Sequence, residues 1–218
     1  MADYQLILEH VAKSEGGLSS DPNDSCSKVP SNIKNPKTGN FYHTNKGVCY
    51  STWIEASKKY GFDSSGKGFV NMTTGQWQTI IKGSYWDPLN LDKVNNQAIA
   101  ELIFETNWGS GLGGARPLIR HMQQIINVPI NGKMDSTTLV KLNNYTNQKT
   151  ATTALYQSLW TFRLNWLKSL SQWSRYGKGW SNRMNELYER SKGMFTNPKF
   201  LGIFVLLGVS LFFLIKKR

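Results

Sequence analysis

Apolar residues recur at helical spacing along most of this chain, and the longest stretch that escapes the period is residues 18–50. Tyr4, Ile7, Leu8 and Val11 stand at i, i+3, i+4 and i+7, the stripe of an amphipathic helix that ends at Gly16-Gly17. Residues 18–50 are rich in Ser, Asn, Pro, Gly and Asp and read as loop, with a short hairpin expected around 41–48. Beyond them the helical period returns. Ser51 is placed to cap a helix that runs to Tyr60 and stops at Gly61. Trp77, Ile80 and Ile81 mark the inner face of the next, from Thr74. Ile99, Leu102 and Ile103 mark another over 96–107, and Pro117 reads as the first-turn proline of a helix carrying Leu118, Ile119, Met122, Ile125 and Ile126. Asp135 is placed to cap a helix with Leu139, Val140 and Leu142 inward. The longest helix carries Leu155, Leu159, Phe162 and Trp166, and the last follows Gly179 with Met184, Leu187 and Tyr188 inward. Residues 191–198 read as a hinge.

The net charge is +12, and the tail does not account for it. Without the four basic residues beyond Asn197, 22 basic residues still face 14 acidic ones. Such a balance favours a polyanionic partner: nucleic acid, anionic lipid or the bacterial wall. The basic residues are scattered rather than striped and match no nucleic-acid module, so nucleic acid is not expected. Residues 200–215 are almost wholly apolar, flanked by Lys199 and by Lys216, Lys217 and Arg218. At ~1.5 Å per residue this run falls slightly short of a ~30 Å hydrocarbon core, a gap that snorkelling lysines can close. The expectation is a single-pass C-terminal membrane anchor. The chain start lacks the basic front and apolar run of a signal peptide. Cys26 and Cys49 are either bridged, in an oxidising compartment, or two free thiols. No histidine pair at ligand spacing accompanies them, so neither a metal nor another cofactor is expected.

The chemistry concentrates in Glu15-Gly16-Gly17 and in Asp24, nine residues after the Glu. Glu15 is expected on the last turn of the first helix, where exposed carbonyls disfavour an ionised carboxylate and raise its pKa. A general acid that protonates a glycosidic oxygen near neutral pH needs that property. Two carboxyls facing each other across a sugar are the working parts of most glycosidases. His10, His43 and His121 stand in no triad context, which argues against a nucleophilic Ser or Cys hydrolase.

These residues carry a family resemblance. Glu15-Gly16-Gly17, Asp24 and Thr44-Asn45-Lys46-Gly47-Val48 resemble, in order, the signature of the N-acetylmuramidases of glycoside hydrolase family 108, enzymes of phage and bacterial lysins. Tyr85-Trp86-Asp87, the acidic and Gly-rich stretch over 104–111, and Gly179-Trp180-Ser181-Asn182-Arg183 are similar to later motifs of that family. Residues 123–139 resemble its peptidoglycan-binding segment, with Asn131 and Asp135 standing where the family carries Asp and Gly. Another departure is an insertion of about 20 residues between Asp24 and Thr44, which a Cys26–Cys49 bridge would fold out. Glu105 stands where the family carries Asp.

The resemblance implies a wall-lytic enzyme of mainly α, α+β lysozyme-like fold: a small irregular or β lobe near the N-terminus, a helical bundle and the transmembrane tail. The expected division is 1–95 for the muramidase lobe, 96–192 for the helical lobe with the binding-like segment, and 193–218 for hinge and anchor. Glu15 is the implied acid, Asp24 the carboxylate that stabilises developing charge or positions water, and Thr44 the holder of that water. Trp86, Glu105 and Trp108 are the candidate substrate contacts; Trp77 and Trp166 read as core. Arg183 is expected to partner a buried carboxylate. The implied partners are bacterial peptidoglycan and, through 200–215, a host or viral membrane. Lytic transglycosylation, and an inactive wall-binding or virion structural protein, are the alternatives.

Overall fold

The computed structural model describes residues 1–14 and 16–196; Glu15 and residues 197–218 lie outside the described residues. The chain forms two compact units, one of residues 4–88 and one of residues 1–3 with Leu89 onward.

The first unit begins with α1 (Tyr4–Ser14), which buries Ile7, Leu8 and Val11 as its period predicts. A three-stranded antiparallel sheet follows: β1 (Leu18–Ser19), β2 (Thr44–Asn45) and β3 (Val48–Cys49), with β2 in the middle. Lys46 (φ 47°) and Gly47 (φ 77°) turn β2 into β3. A two-residue turn with both φ values positive matches the natural strand twist and favours glycine at one of them. The strained Lys46 is held by its neighbours: its carbonyl accepts the Trp77 Nε1–H at 2.8 Å, and its Nζ donates to Met72 O at 3.2 Å. Buried Asn45 donates to Phe69 O at 2.7 Å.

The insertion between β1 and β2 has its own order. Asp24 caps a 3-10 turn at Ser25–Lys28, and a bridge pairs Lys34 with Phe41 in a small hairpin. Asn35 Nδ2 and Asn40 Nδ2 both donate to Ser20, tying that hairpin back beside β1. Cys26 and Cys49 form a disulfide, which closes the insertion at its base.

Helix α2 (Tyr50–Tyr60) starts one residue before Ser51, with Cys49 as its cap, and ends at Gly61 in the left-handed conformation. A short α3 (Gly66–Val70) leads to α4 (Thr74–Ile81), whose start is secured by reciprocal Thr73 and Gln76 capping bonds. The core of this unit is aromatic: Trp53 lies against Phe62 and Phe69, with centroids 5.7 and 6.2 Å away.

The second unit is helical: α5 (Gln97–Ile125), α6 (Ser136–Tyr145), α7 (Lys149–Lys168) and α8 (Trp173–Thr196). The two helices expected over 96–126 run into one another across Gly111, whose φ of 59° and ψ of −170° interrupt the helical path. Pro117 therefore lies in the second turn after the break rather than the first. Helix α8 starts at Trp173, earlier than Gly179, and continues to Thr196, so residues 191–196 are helix where a hinge was expected. Val140, expected inward, is 63% exposed, while Leu139 and Leu142 are buried. Helices α7 and α8 are stitched by Trp160 Nε1–H to Met184 O at 2.8 Å and Tyr156 O–H to Leu187 O at 3.2 Å.

The expected single-pass anchor and membrane location are overturned. No helix among the described residues is long and apolar enough to cross a membrane. The run at 200–215 that suggested an anchor lies outside the described residues.

Two stability predictions follow from these contacts. Asp135 accepts from Thr138 N–H at 2.9 Å and from Asn131 Nδ2 at 2.7 Å, and these bonds hold its carboxyl below the ordinary value of 3.8. Asp135→Ala is expected to cost about 1 kcal/mol in urea unfolding. A lowered folded pKa means that this contribution is full well above pH 3.8 and fades on acidification below it, so wild type and variant converge there. Joining residues 23 apart in sequence, the disulfide constrains the unfolded chain. Its replacement by Cys26→Ser with Cys49→Ser is expected to cost about 3 kcal/mol in the same assay.

Candidate active site

Asp24, Thr44 and His43 meet in the first unit. Asp24 reaches its place through a tight turn: its N–H donates to Asp21 O at 3.0 Å, and Asp21 Oδ1 caps the turn by accepting from Asn23 N–H at 3.0 Å. The Asp24 carboxylate then divides its work. Oδ1 accepts the Cys26 N–H at 3.0 Å and starts the 3-10 turn, while Oδ2 lies 3.3 Å from Thr44 Oγ1. Thr44 is fixed by the sheet, paired with Ser19 on one side and Cys49 on the other. Because Cys26 is bonded to Cys49, the Asp24 turn is joined covalently to the residue paired with Thr44 across the sheet.

Sequence reading set His43 aside; the structure puts it at the centre. Its ring is 2% exposed. Nε2 lies 2.9 Å from the carbonyl oxygen of Asp21, Nδ1 lies 2.9 Å from Thr44 Oγ1, and Nδ1 is 4.0 Å from Asp24 Oδ2. The signal that was present, His43 directly before Thr44, argued against contact, since neighbours on a strand point to opposite faces. Here β2 begins only at Thr44, so the rule does not bind His43.

The other candidates have settings of their own among the described residues, Glu15 excepted. Glu15 falls outside the described residues. Trp86, on a π-helical turn at Lys82–Trp86, is fully buried and packs edge-on against Tyr4 with centroids 5.7 Å apart, a position that offers no ring face to a sugar. Glu105 and Trp108 belong to the second unit. Trp108 is 9% exposed and stacks over Phe104. Glu105 is 6% exposed and accepts from Arg183 Nε at 2.7 Å, the kind of partner expected for Arg183. Arg163, buried beside this pair, donates from Nη2 to Ser110 Oγ at 2.7 Å. Burial pushes its pKa down to about 10, against the opposing pull of Glu105. One turn away on α5, Glu101 accepts from Arg190 Nε at 2.8 Å. A substrate contact by Glu105 would have to share its carboxylate with Arg183.

Residues 123–139, expected to bind peptidoglycan, use their polar groups on one another. The fully buried Gln123 amide shares its two N–H hydrogens among Asn131 Oδ1, Lys133 O and Thr138 Oγ1, all within 3.0 Å of Nε2, and accepts from Gly132 N–H. This pattern supports a folding role for the segment. Among the described residues no cluster of His, Cys, Asp and Glu is arranged to hold a metal.

If Glu105 serves the fold, Arg183→Met is expected to destabilise by about 3 kcal/mol, because it leaves a buried carboxylate unpaired. Adding Glu105→Gln should recover most of that loss in thermal unfolding. A wild-type melting point for Arg183→Met would count against the structural role.

Residues 8–111 match the family model of glycosyl hydrolase 108, a span that takes in Glu15, Asp24, Thr44, Trp86, Glu105 and Trp108. Among solved structures the chain is similar to that of SagA from Brucella abortus, at 21% identity and a TM-score of 0.64, over 89% of this chain and 97% of that one. That likeness extends the shared fold well beyond residues 8–111. None of the curated proteins matches the chain. Over residues 8–111 the chain is similar to the glycosyl hydrolase 108 family, and over most of its length it shares a fold with the Brucella abortus protein.

Proposed function

We propose that the chain is an N-acetylmuramidase that hydrolyses the β-1,4 bond between N-acetylmuramic acid and N-acetylglucosamine in bacterial peptidoglycan, as a phage-type wall-lytic enzyme. The observation that carries this reading is the Asp24–Thr44 pair, a carboxylate and a hydroxyl held 3.3 Å apart on a disulfide-tied frame. A water lying beside this pair can donate to the carboxylate and be steadied by the hydroxyl, with a lone pair left for attack.

In this reading Glu15 gives its proton to the leaving O4 as the bond from the muramic acid C1 breaks. The water held by Asp24 and Thr44 bonds to C1 from the opposite face and passes its proton to Asp24, inverting the anomeric centre. The net charge of +12 draws the enzyme to an anionic wall. A water-holding pair favours hydrolysis over transglycosylation, where the sugar's own 6-hydroxyl attacks and no water is needed.

The test uses the full chain on purified sacculi, with muropeptide products analysed by mass spectrometry. Wild type is expected to release reducing ends, and Glu15→Gln to lower kcat by about 10²-fold or more. Asp24→Asn should fall comparably while remaining folded. Release of 1,6-anhydro ends would replace hydrolysis by transglycosylation. No release by a folded wild type would sink the enzymatic reading.

A further inference from the structure

We infer that His43 is a positioning residue, which takes the Thr44 hydroxyl hydrogen and so leaves the Asp24 carboxylate free to accept from the attacking water. The inference rests on the muramidase reading for its catalytic meaning, and on hydrogen-bond geometry alone for the direction of the bond.

The geometry sets the direction step by step. Nε2 of His43 faces a backbone carbonyl, that of Asp21, at 2.9 Å. A carbonyl only accepts, so Nε2 carries the proton. In the neutral ring Nδ1 is then bare and acts as an acceptor. The group in front of it is Thr44 Oγ1, also at 2.9 Å. Thr44 has one hydroxyl hydrogen and two takers for it, Nδ1 at 2.9 Å and Asp24 Oδ2 at 3.3 Å. The shorter bond, to a nearly fully buried ring, takes the hydrogen.

The consequence falls on Asp24. With the Thr44 hydrogen turned to His43, Thr44 Oγ1 and Asp24 Oδ2 present lone pairs to one another. Asp24, whose side chain is 33% exposed, then meets its need for a donor from solvent, which the buried ring has no access to. Were the Thr44 hydrogen on Asp24 instead, it would occupy one acceptor site and drain basicity from the carboxylate that must receive the water's proton. His43 also keeps the frame in register, because the Asp21 carbonyl it bonds accepts the Asp24 N–H as well.

Two amide substitutions divide these roles in the full-length protein. Glutamine places its amide near the Nε2 position and keeps the tie to Asp21 O, but does not reach Thr44. Asparagine places its amide near Nδ1, where its oxygen can accept from Thr44, and gives up the tie. His43→Gln is expected to lower kcat on sacculi fragments by about 10²-fold with KM unchanged. His43→Asn should recover at least tenfold of that loss although it is the less thermally stable of the two. A merely structural histidine would give the reverse: activity following stability, with Gln above Asn. Wild-type kcat in His43→Gln, or equal losses in both variants, would overturn the inference.

A second readout needs no activity. The ¹⁵N spectrum of the neutral His43 ring is expected to show the proton on Nε2, and in Thr44→Val the Nδ1 signal should move downfield as its donor is lost. A proton on Nδ1, or no movement in Thr44→Val, would refute the bond direction. If wild type released no muropeptides, the muramidase reading would fall while these spectra still decided the His43–Thr44 bond.

Discussion

The bond between Cys26 and Cys49 is the constraint on which the candidate site depends. Between Asp24 and Thr44 the chain makes a long excursion with its own hairpin, and such a loop has many ways to place its ends. The disulfide removes most of that freedom two residues from Asp24 and at the residue paired with Thr44 across the sheet. What remains is settled by short hydrogen bonds: the Asp21 turn, the cap on the 3-10 helix, and the contacts of His43. The insertion thus adds length without separating the groups.

The helical unit is organised by charge as well as by apolar stripes. Glu101 and Glu105 stand one turn apart on α5, and Arg190 and Arg183 stand two turns apart on α8, so the pairs form in antiparallel order. The rises differ, about 6 Å against about 10 Å, and the long arginine side chains absorb the mismatch. Buried pairs of this kind contribute little net stability over an apolar replacement, but an unpaired member is costly. Their effect is therefore on register: a slip of α8 along α5 would leave two buried carboxylates without their arginines. The same logic explains why the acidic residue nearest the Gly-rich break belongs to this framework.

Much of the fold was legible in the chain because helices announce themselves locally. The stripes of α1, α4 and α7, and the end of α2 at Gly61, need only residues within a few turns of one another. The misjudged boundaries have local causes too. Gly111 breaks the helical path between the two expected segments, and the second begins a turn before Pro117. Glycines suggest a boundary at Gly179, yet α8 runs through both Gly177 and Gly179. The apolar run at 200–215 was read by composition alone and gained no support among the described helices.

By itself the sequence determined which residue types stand at which offsets: a carboxylate nine residues after Glu15, a threonine opening a Thr-Asn-x-Gly turn, and two cysteines flanking the insertion. Those are properties of a linear order, and a family likeness can be read from them. Only the tertiary structure decided what each group faces. It joined the cysteines, brought Thr44 to Asp24 across 20 residues, and moved His43 from an unremarked neighbour to a partner of both the Asp21 carbonyl and Thr44. It also turned Trp86 into core and gave Glu105 to Arg183. The physical reason is range: helix and turn preferences act over a few residues, whereas a hydrogen-bond partner is chosen by folding between residues that are distant in sequence.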